Sequence, residues 1–545
     1  MANKQQKSEE IINFCLNNQQ NPIIQTNSII QNILAYCYKY GKWINNDNHQ
    51  AFVHYQKSAE MGNSIGICNL GFCHQYGIGV EKDDYTAFIY YQRSADMGDA
   101  YGINLLGDCY RDGIGVEKDN NKAFIYYQTS AEMGHAMGMN SLGYCYEKGI
   151  GVEKDGHKAF TYYQTSANMG NASGMNHLGD CYENGIGVEK DEHKAFIYFQ
   201  KSANAGYDSG MNRLGLCYEN GIGVKKDEYK AFIYYQKSAE MCNVYGMYNL
   251  GDCYENGIGV DKDEYKAFIY YQKSADMDNA SGMNKLGLCY ENGIGVKKDE
   301  YKAFIYYQKS ADMGNASGMN RLGLCYEKGI GVEKDEYKAF TYYLNSADMG
   351  NFNGINNIGY CYQNGIGVEP DEHKAFIYYQ KSADMGNTTG MNNLGYFGYC
   401  YHNRIGVEKD EHKAFIYYQK SANMGNSSGM YNLGYCYENG IGVEKDEYKA
   451  LCYYQKSADM GNANGVNRLG LCYEKGIWVE KNEHMAFIYY QKSADMGNYS
   501  AINNIGYCYQ NGIGVETDEY KAFYLLSKIC RYGQYYGNVQ SWVLL

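Results

Sequence analysis

The chain has 545 residues and a formal net charge of −13, with 49 Lys and Arg against 62 Asp and Glu. Its aromatic fraction of 15% argues against general disorder, because disordered chains are poor in aromatic residues. The acidic balance excludes nucleic acid as a main partner, since phosphate binding requires a basic surface. No apolar run reaches the roughly 18 residues of a membrane span, and residues 1–20 contain no apolar signal core. We therefore expect a cytoplasmic protein without a membrane partner.

The pair Ala-Phe recurs along the chain and defines its organisation. The alanines stand 36 residues apart, apart from one interval of 39 before Ala414, and Leu451 once replaces the Phe. Seventeen residues before each Ala stands an apolar residue, which we call the landmark of the unit: Leu34 in the first unit and Ile505 in the last. Fourteen units result, numbered by their alanines: Ala51, Ala87, Ala123, Ala159, Ala195, Ala231, Ala267, Ala303, Ala339, Ala375, Ala414, Ala450, Ala486 and Ala522.

Each unit contains two predicted helices, which residues 280–315 illustrate. Apolar residues recur at helical spacing around Leu286 and predict helix A, which ends at Gly293 because Gly adopts the left-handed conformation cheaply. After a short loop, Asp299 stands where the N-cap of a second helix is expected. Helix B is predicted over 300–313, and it is apolar on most sides, as is typical of a helix packed between neighbours.

Two short helices cannot bury their apolar faces alone, whereas stacked copies can. We therefore predict an all-α fold, an α/α superhelical solenoid of about fourteen 36-residue helix-turn-helix repeats. The array is expected to span 28–534, between an N-terminal capping segment, 1–27, and a C-terminal tail, 535–545. The tail is either an apolar lid on the last helix or a docking peptide. Three extra residues in unit 11, 388–426, predict a longer or bulged helix A there.

The unit resembles a known repeat. Its Leu286-Gly287 pair, the tyrosines that follow, the loop glycines and the Lys302-Ala303 pair are similar to the Sel-1-like repeat (SLR), a relative of the tetratricopeptide repeat. The resemblance implies a non-enzymatic scaffold or adaptor, because such proteins assemble complexes in signalling, cell-wall synthesis and protein quality control. Gly282 departs from the family, which usually has Ala there. Two alternatives remain: a regulatory array that acts with a protein kinase, and a bacterial-type hydrolase, which would need a unique nucleophile.

Neither cysteine nor histidine follows the pattern of a metal or catalytic site. Fourteen of the 19 cysteines occupy one position, three residues after the landmark, and one Cys per unit cannot form a bridge within its unit. We interpret them as small buried residues of a reduced protein. Six of the 11 histidines lie two residues before the Ala, where seven of the other eight units have Tyr, which indicates a packing or surface group. We predict no cofactor, no metal and no catalytic residue, since a side chain that recurs in every unit is structural.

Two helix A positions vary between otherwise near-identical units, one residue before and two after the landmark. They are i, i+3 neighbours on one face, and in related solenoids helix A lines the concave side. The variation means either an ordinary solvated surface or tuning for a partner, and Arg and Tyr are frequent interface anchors. We hypothesise that an acidic or phosphorylated protein segment binds a groove near Arg213, Lys285 and Arg321. The groove residues are His177, Arg213, Lys285, Arg321, Tyr360, Tyr399, Tyr435, Arg468 and Tyr507.

Overall fold

A computed structural model describes Phe14, Leu16, residues 21–390, Asn393, and residues 410–532 apart from Met424. Within these residues helices alternate with short turns and loops, and there is no strand. The prediction of an all-α solenoid of about fourteen helix-turn-helix repeats is therefore confirmed. The chain divides into two compact bodies after Met277, which separates units 1 to 7 from units 8 to 14.

In the first body a short helix, Pro22–Gln25, precedes the repeats. Helix A of units 1 to 7 spans Ser28–Tyr40, Ser64–Tyr76, Ala100–Asp112, Ala136–Lys148, Ala172–Asn184, Asp208–Asn220 and Val244–Asn256. Helix B of the same units spans Asn48–Glu60, Asp84–Asp96, Asn120–Glu132, Gly156–Asn168, Glu192–Asn204, Glu228–Glu240 and Glu264–Asp276. Each helix packs against the one before and the one after it, so a unit contacts its immediate neighbours.

In the second body, helix A spans Ala280–Asn292, Ala316–Lys328, Phe352–Asn364, Ser427–Asn439, Ala463–Lys475 and Tyr499–Asn511, in units 8 to 10 and 12 to 14. Helix B of units 8 to 14 spans Glu300–Asp312, Glu336–Asp348, Glu372–Asp384, Glu411–Asn423, Glu447–Asp459, Glu483–Asp495 and Glu519–Tyr532. The predicted bulge in helix A of unit 11 and the tail, 535–545, lie outside the described residues.

The helix ends follow the predicted signals. Asp227 caps helix B of unit 6, because its carboxylate accepts a hydrogen bond from the Lys230 backbone N–H at 3.0 Å. Asn482 does the same in unit 13. Helix A of unit 8 ends at Gly293, with φ +75°. Helix B of that unit ends at Asp312, one residue earlier than predicted.

The core of each unit is built from the positions that stay constant between units. In unit 6 the buried side chains are Leu214, Cys217, Ala231 and Tyr235. Rings join successive units, since Tyr218 stands edge-on to Phe196 of unit 5, with 5.5 Å between ring centroids. The prediction of buried cysteines is confirmed, because every described cysteine in the repeated position is buried and outside any disulfide: Cys37, Cys73, Cys109, Cys145, Cys181, Cys217, Cys253, Cys289, Cys325, Cys361, Cys436, Cys472 and Cys508.

Close contact between units explains the glycine four residues before the landmark. Ser202 of unit 5 is fully buried and donates a hydrogen bond to the Ala172 carbonyl at 2.7 Å. A Cβ atom on Gly210 of the next helix A would lie 2.3 Å from the Ser202 hydroxyl oxygen. Gly at this position therefore lets helix A approach the serine. Unit 14 has Ala501 there, so a local shift can accommodate a methyl group.

Candidate binding surface on helix A

The residue before the landmark of helix A contacts the preceding unit. The amide of Asn249 donates to Asn212 Oδ1 of unit 6 at 2.8 Å, and the His177 ring Nδ1 lies 2.8 Å from Asn140 Oδ1 of unit 4. The variable position is thus a hydrogen-bonding site between repeats, a role that our sequence analysis missed. The same contact joins Asn69 to Asn32, Asn357 to Asn320, and Asn504 to Asn467. In unit 11 it is made by Asn393, four residues before the landmark Phe397, to Asn356.

Arg213 occupies this position in unit 6 and binds acidic residues of unit 5 instead. Its Nε lies 2.8 Å from Asp180 Oδ1, and its Nη2 lies 3.1 Å from Glu183 Oε2. The guanidinium also covers the Phe199 ring, with 5.2 Å from Cζ to the ring centroid. Asn176 Oδ1, the acceptor that an Asn in place of Arg213 would use, consequently has no hydrogen-bond partner among the described residues. Arg213 is therefore already neutralised within the chain.

Phe199 leaves a carboxylate next to Arg213 without its usual donor. Twelve of the other units have Tyr at the equivalent place, and where the residue five after the landmark is Glu, the hydroxyl donates to it, as from Tyr163 to Glu147 at 2.8 Å. Phe199 has no hydroxyl, so the equivalent carboxylate, Glu183, is bonded by Arg213. The ion pair replaces a hydrogen bond that the tyrosines of seven other units make to this Glu within one unit.

We expect Phe199→Tyr to make the Arg213 ion pair partly redundant. Arg213→Ala alone should lower the free energy of unfolding by about 1 to 3 kcal/mol, because two half-buried carboxylates lose their charged donor. In the Phe199→Tyr background the loss should be smaller, since the new hydroxyl can donate to Glu183. A double-mutant cycle followed by urea denaturation measures this coupling. Equal losses in both backgrounds would contradict the compensation.

The remaining basic groove residues are also engaged within the chain. Arg321 Nη1 lies 3.9 Å from Glu291 Oε2, and Arg468 Nη1 lies 3.7 Å from Glu438 Oε1. Lys285 likewise has an interaction partner. The positive charges that the sequence hypothesis assigned to a partner are therefore already engaged within the chain.

The aromatic groove residues are accessible. Tyr360, Tyr435 and Tyr507 are 43%, 39% and 53% exposed, whereas Tyr399 lies outside the described residues. The Tyr435 ring centroid lies 5.9 Å from the Arg468 guanidinium carbon, so the structure brings these two groove residues together. A partner can therefore contact these tyrosines directly, whereas at the basic groove residues it would have to displace an existing contact.

Acidic side chains also belong to this surface: Asp108 and Asp180 occupy the second variable position, two residues after the landmark, whereas the glutamates of helix A were not foreseen. Burial raises the pKa of the Asp108 and Asp180 carboxyls, while the nearby Arg111 and Arg213 oppose that shift. Eight units also carry Glu five residues after the landmark, in fixed spacing of 16 residues to the buried Tyr or Phe. This constant spacing was the sequence signal for these glutamates, but only the structure shows that the Tyr hydroxyl donates a hydrogen bond to the Glu. The acidic positions are Glu147, Glu183, Glu219, Glu255, Glu291, Glu327, Glu438 and Glu474.

Histidines of the repeated position contact loop backbone. The Nδ1 atoms of His193 and His412 lie 3.1 Å from the carbonyl oxygens of Gly223 and Gly442, each in the following unit. In the part of the chain that the structure describes, no cluster of three or more His, Cys, Asp or Glu side chains could hold a metal ion. Among those same residues, no helix combines the length and the apolarity needed to cross a membrane.

Stacked helix-turn-helix units with a varied helix A surface define a tandem-repeat protein. The family model described as Sel1 repeat matches most of the chain, and the chain belongs to the Sel1 repeat family. The matched residues are 31–63, 64–99, 100–135, 136–171, 172–207, 208–241, 244–279, 280–315, 316–351, 353–387, 388–426, 427–462, 463–498 and 500–533.

Solved structures include similar chains. The protective antigen c5321 of uropathogenic Escherichia coli, which displays an SLR fold, is 28% identical over 91% of this chain and 99% of its own, with a TM-score of 0.47. A Sel1 repeat protein from Oxalobacter formigenes is 26% identical over 57% of this chain and 88% of its own, with a TM-score of 0.40. Comparison with curated proteins gives no significant match.

Proposed function

We propose that the chain is a non-enzymatic scaffold or adaptor whose helix A surface binds a segment of a partner protein. The observation that carries the proposal is the contrast between positions: core residues stay constant between units, while exposed helix A positions vary. Membership of the Sel1 repeat family supports the same function. Tyr360, Tyr435 and Tyr507 supply aromatic side chains of the kind that anchor protein interfaces.

The proposal places the scaffold in cytoplasmic signalling, with a protein kinase as the partner class to test first. Free, buried cysteines support a reducing compartment. An acidic or phosphorylated partner segment near Arg213, Lys285 and Arg321 remains the sequence hypothesis. Such a segment has to compete with Asp180 and Glu183 for Arg213, so its contribution there is smaller than the sequence alone indicates.

Reversing the charges of Arg213, Lys285 and Arg321 to Glu tests the groove. Tagged wild-type and triple-variant chains are cross-linked in the native cell, and the captured partners are compared by mass spectrometry. We expect weaker capture of the same partners by the variant, with helicity unchanged in far-ultraviolet circular dichroism. Lys57→Glu, an exposed change on helix B, is the control. Undiminished capture at physiological salt would show that partners are not recognised through these residues.

A further inference from the structure

Unit 1 departs from a hydrogen-bonding rule that ten other units keep. The buried Tyr four residues after the repeat Ala elsewhere donates its hydroxyl to helix A of its own unit, as Tyr91 does to Gln75 at 2.7 Å. Unit 1 has Lys39 at the position equivalent to Gln75, and lysine carries no acceptor. The tyrosines that keep the rule are Tyr91, Tyr127, Tyr163, Tyr235, Tyr271, Tyr307, Tyr343, Tyr379, Tyr454 and Tyr490.

Tyr55, the equivalent tyrosine of unit 1, makes no side-chain hydrogen bond to a described residue, and its side chain lines a cavity. It is only 2% exposed, and the cavity has a volume of about 350 Å³ between helix A of unit 1 and helix A of unit 2. Exposed apolar and aromatic side chains form the walls, including Ile33, Tyr36, Tyr40 and Ile65. A tyrosine whose hydroxyl has no acceptor among the described residues thus lines a recess with largely apolar walls.

Three side chains that line this cavity, Lys39, Tyr55 and Asn32, carry hydrogen-bond donors. Lys39 Nζ lies 3.7 Å from the Phe72 ring centroid and 4.8 Å from that of Tyr40, and it forms no ion pair with a described acidic residue. Asn32 Oδ1 accepts a hydrogen bond from Asn69 Nδ2 at 3.1 Å, which leaves the Asn32 amide nitrogen as a donor. No acidic side chain lines the cavity among the described residues. An ammonium, a phenol and an amide that can donate hydrogen bonds therefore line the cavity.

We propose that this cavity binds a carboxylate of a partner protein segment, an Asp or Glu side chain flanked by apolar residues. The inference rests on the proposed scaffold function and names the partner's chemistry. The carboxylate accepts hydrogen bonds from Lys39 and Tyr55, and the flanking apolar side chains contact Ile33, Tyr36 and Ile65. The volume lies within the range of roughly 300–1,000 Å³ that is usual for small binding pockets, so one acidic residue and its neighbours fit.

An acidic segment meets a more favourable charge environment in units 1 and 2 than at the basic residues further along the chain. Arg213 already has Asp180 and Glu183 as partners, so an incoming carboxylate would meet two like charges there. Lys39 meets no such competition within its cavity. An acidic segment therefore gains more from units 1 and 2 than from units 5 and 6.

The array itself supplies variants that should keep the fold. Lys39→Glu gives unit 1 the residue that eight other units have, so Tyr55 gains an internal acceptor while the cavity loses its cation. Tyr55→Phe copies Phe199 of unit 5 and removes only the hydroxyl. Lys57→Glu on the exposed face of helix B makes the same charge change away from the cavity. Circular dichroism and thermal unfolding confirm that each variant is folded.

The test measures fluorescence anisotropy of labelled ten-residue peptides in a Gly-Ser background, capped at both ends. Their central sequences are Leu-Glu-Leu, Leu-Gln-Leu, Leu-Lys-Leu and Leu-phosphoserine-Leu. We expect the Glu peptide to bind about ten times more tightly than the Gln peptide, as a charged hydrogen bond provides. Lys39→Glu should abolish this preference, Tyr55→Phe should reduce it several-fold, and Lys57→Glu should leave it unchanged.

Several outcomes overturn the proposal. Equal binding of the Glu and Gln peptides, or no saturable binding of the Glu peptide at millimolar concentration, removes the carboxylate site. Tighter binding of the phosphoserine peptide assigns the cavity to phosphate instead. If exchanging the chain's own Glu9 and Glu10 for Gln raises peptide affinity, the N-terminal segment is the occupant rather than a partner. Cellular cross-linking distinguishes a failure of the cavity proposal from a failure of the proposed function. If the Lys39→Glu variant captures partners as well as the wild type does, only the carboxylate site is contradicted. If the wild type captures no partner at all, the scaffold function is contradicted.

Discussion

Replacing Gly223 with alanine is expected to destabilise the first body more than a loss of backbone freedom alone explains. Gly223 has φ +66°, and a Cβ atom there would lie 2.0 Å from the backbone carbonyl oxygen of Glu192. The left-handed conformation costs a non-glycine residue about 1–2 kcal/mol, and overpacking adds about 1–3 kcal/mol. Because the obstructing atom belongs to the backbone, the loop has to move away from helix B of unit 5.

Gly206→Ala separates the two contributions. Gly206 also has a positive φ, +82°, but no atom lies within 4 Å of a Cβ built there. This exchange should therefore lose only the conformational part, about 1–2 kcal/mol. Urea unfolding of the two variants and the wild type, monitored by helicity, gives the comparison. If Gly223→Ala and Gly206→Ala lower the free energy of unfolding equally, the close approach to Glu192 does not contribute to the destabilisation.

The two tryptophans at this loop position show how the backbone responds to a side chain. Trp43 and Trp478 replace the glycine and keep the left-handed conformation, with φ +67° and +53°. Trp478 is largely exposed, and its ring centroid lies 6.2 Å from that of Tyr448 in the preceding unit. The loop therefore keeps the backbone conformation of the glycine units, although a positive φ is unfavourable for Trp.

The helices, their caps and the core followed from the sequence because each depends on residues within one unit. Asp227 caps a helix through the backbone three residues further on, and such local signals are visible in any single repeat. The contacts of the candidate surface connect different units. Arg213 meets Asp180 from 33 residues away, and Asn249 meets Asn212 from 37. Periodicity predicts that units touch but does not predict which atoms meet.

A chemical signal for these contacts was nevertheless present in the variable position. Asn, His, Lys and Arg all donate hydrogen bonds, so the position varies in charge while it keeps donor capacity in most units. From the sequence, that variation was interpreted either as an ordinary solvated surface or as tuning for a partner. The exception in unit 1 could be recognised only after the hydrogen bond from the buried Tyr hydroxyl to helix A was known, because Lys39 alone resembles any surface lysine. The structure revealed this hydrogen bond, and the sequence then showed that unit 1 has Lys39 in place of an acceptor.

Acid is expected to weaken helix B in many units together, and exchanging cap aspartates for asparagine should move the unfolding midpoint to lower pH. Backbone N–H groups of the first helical turn, such as that of Lys230, hydrogen-bond the Asp227 carboxyl and lower its pKa. The same shift occurs at Asp83, where the Thr86 hydroxyl is the main cause. Cap carboxyls with a lowered pKa are Asp83, Asp155, Asp191, Asp227, Asp263, Asp371, Asp410, Asp446 and Asp518.

The sign of the effect follows from linkage. A carboxyl whose pKa is lower in the folded chain stabilises the fold above its unfolded value, near 3.9 for Asp, and loses that contribution as the pH falls through the folded value. The buried Asp108 and Asp180 act in the opposite direction, because their raised pKa makes protonation favour the folded state. Nine caps oppose two buried carboxyls, so the balance favours loss of stability below about pH 4.

The triple variant Asp191→Asn, Asp227→Asn, Asp263→Asn tests this balance in three consecutive units. Asn482 already caps helix B of unit 13 with the same geometry, so these exchanges should preserve capping near neutral pH while removing the titrating group. A matched control, Glu117→Gln, Glu153→Gln, Glu189→Gln, changes the net charge equally at exposed loop positions. Helicity followed from pH 7 to pH 2 should show a lower unfolding midpoint for the Asn variant than for wild type or the Gln control. If the Asn and Gln variants unfold at the same pH, net charge rather than cap protonation governs the acid transition.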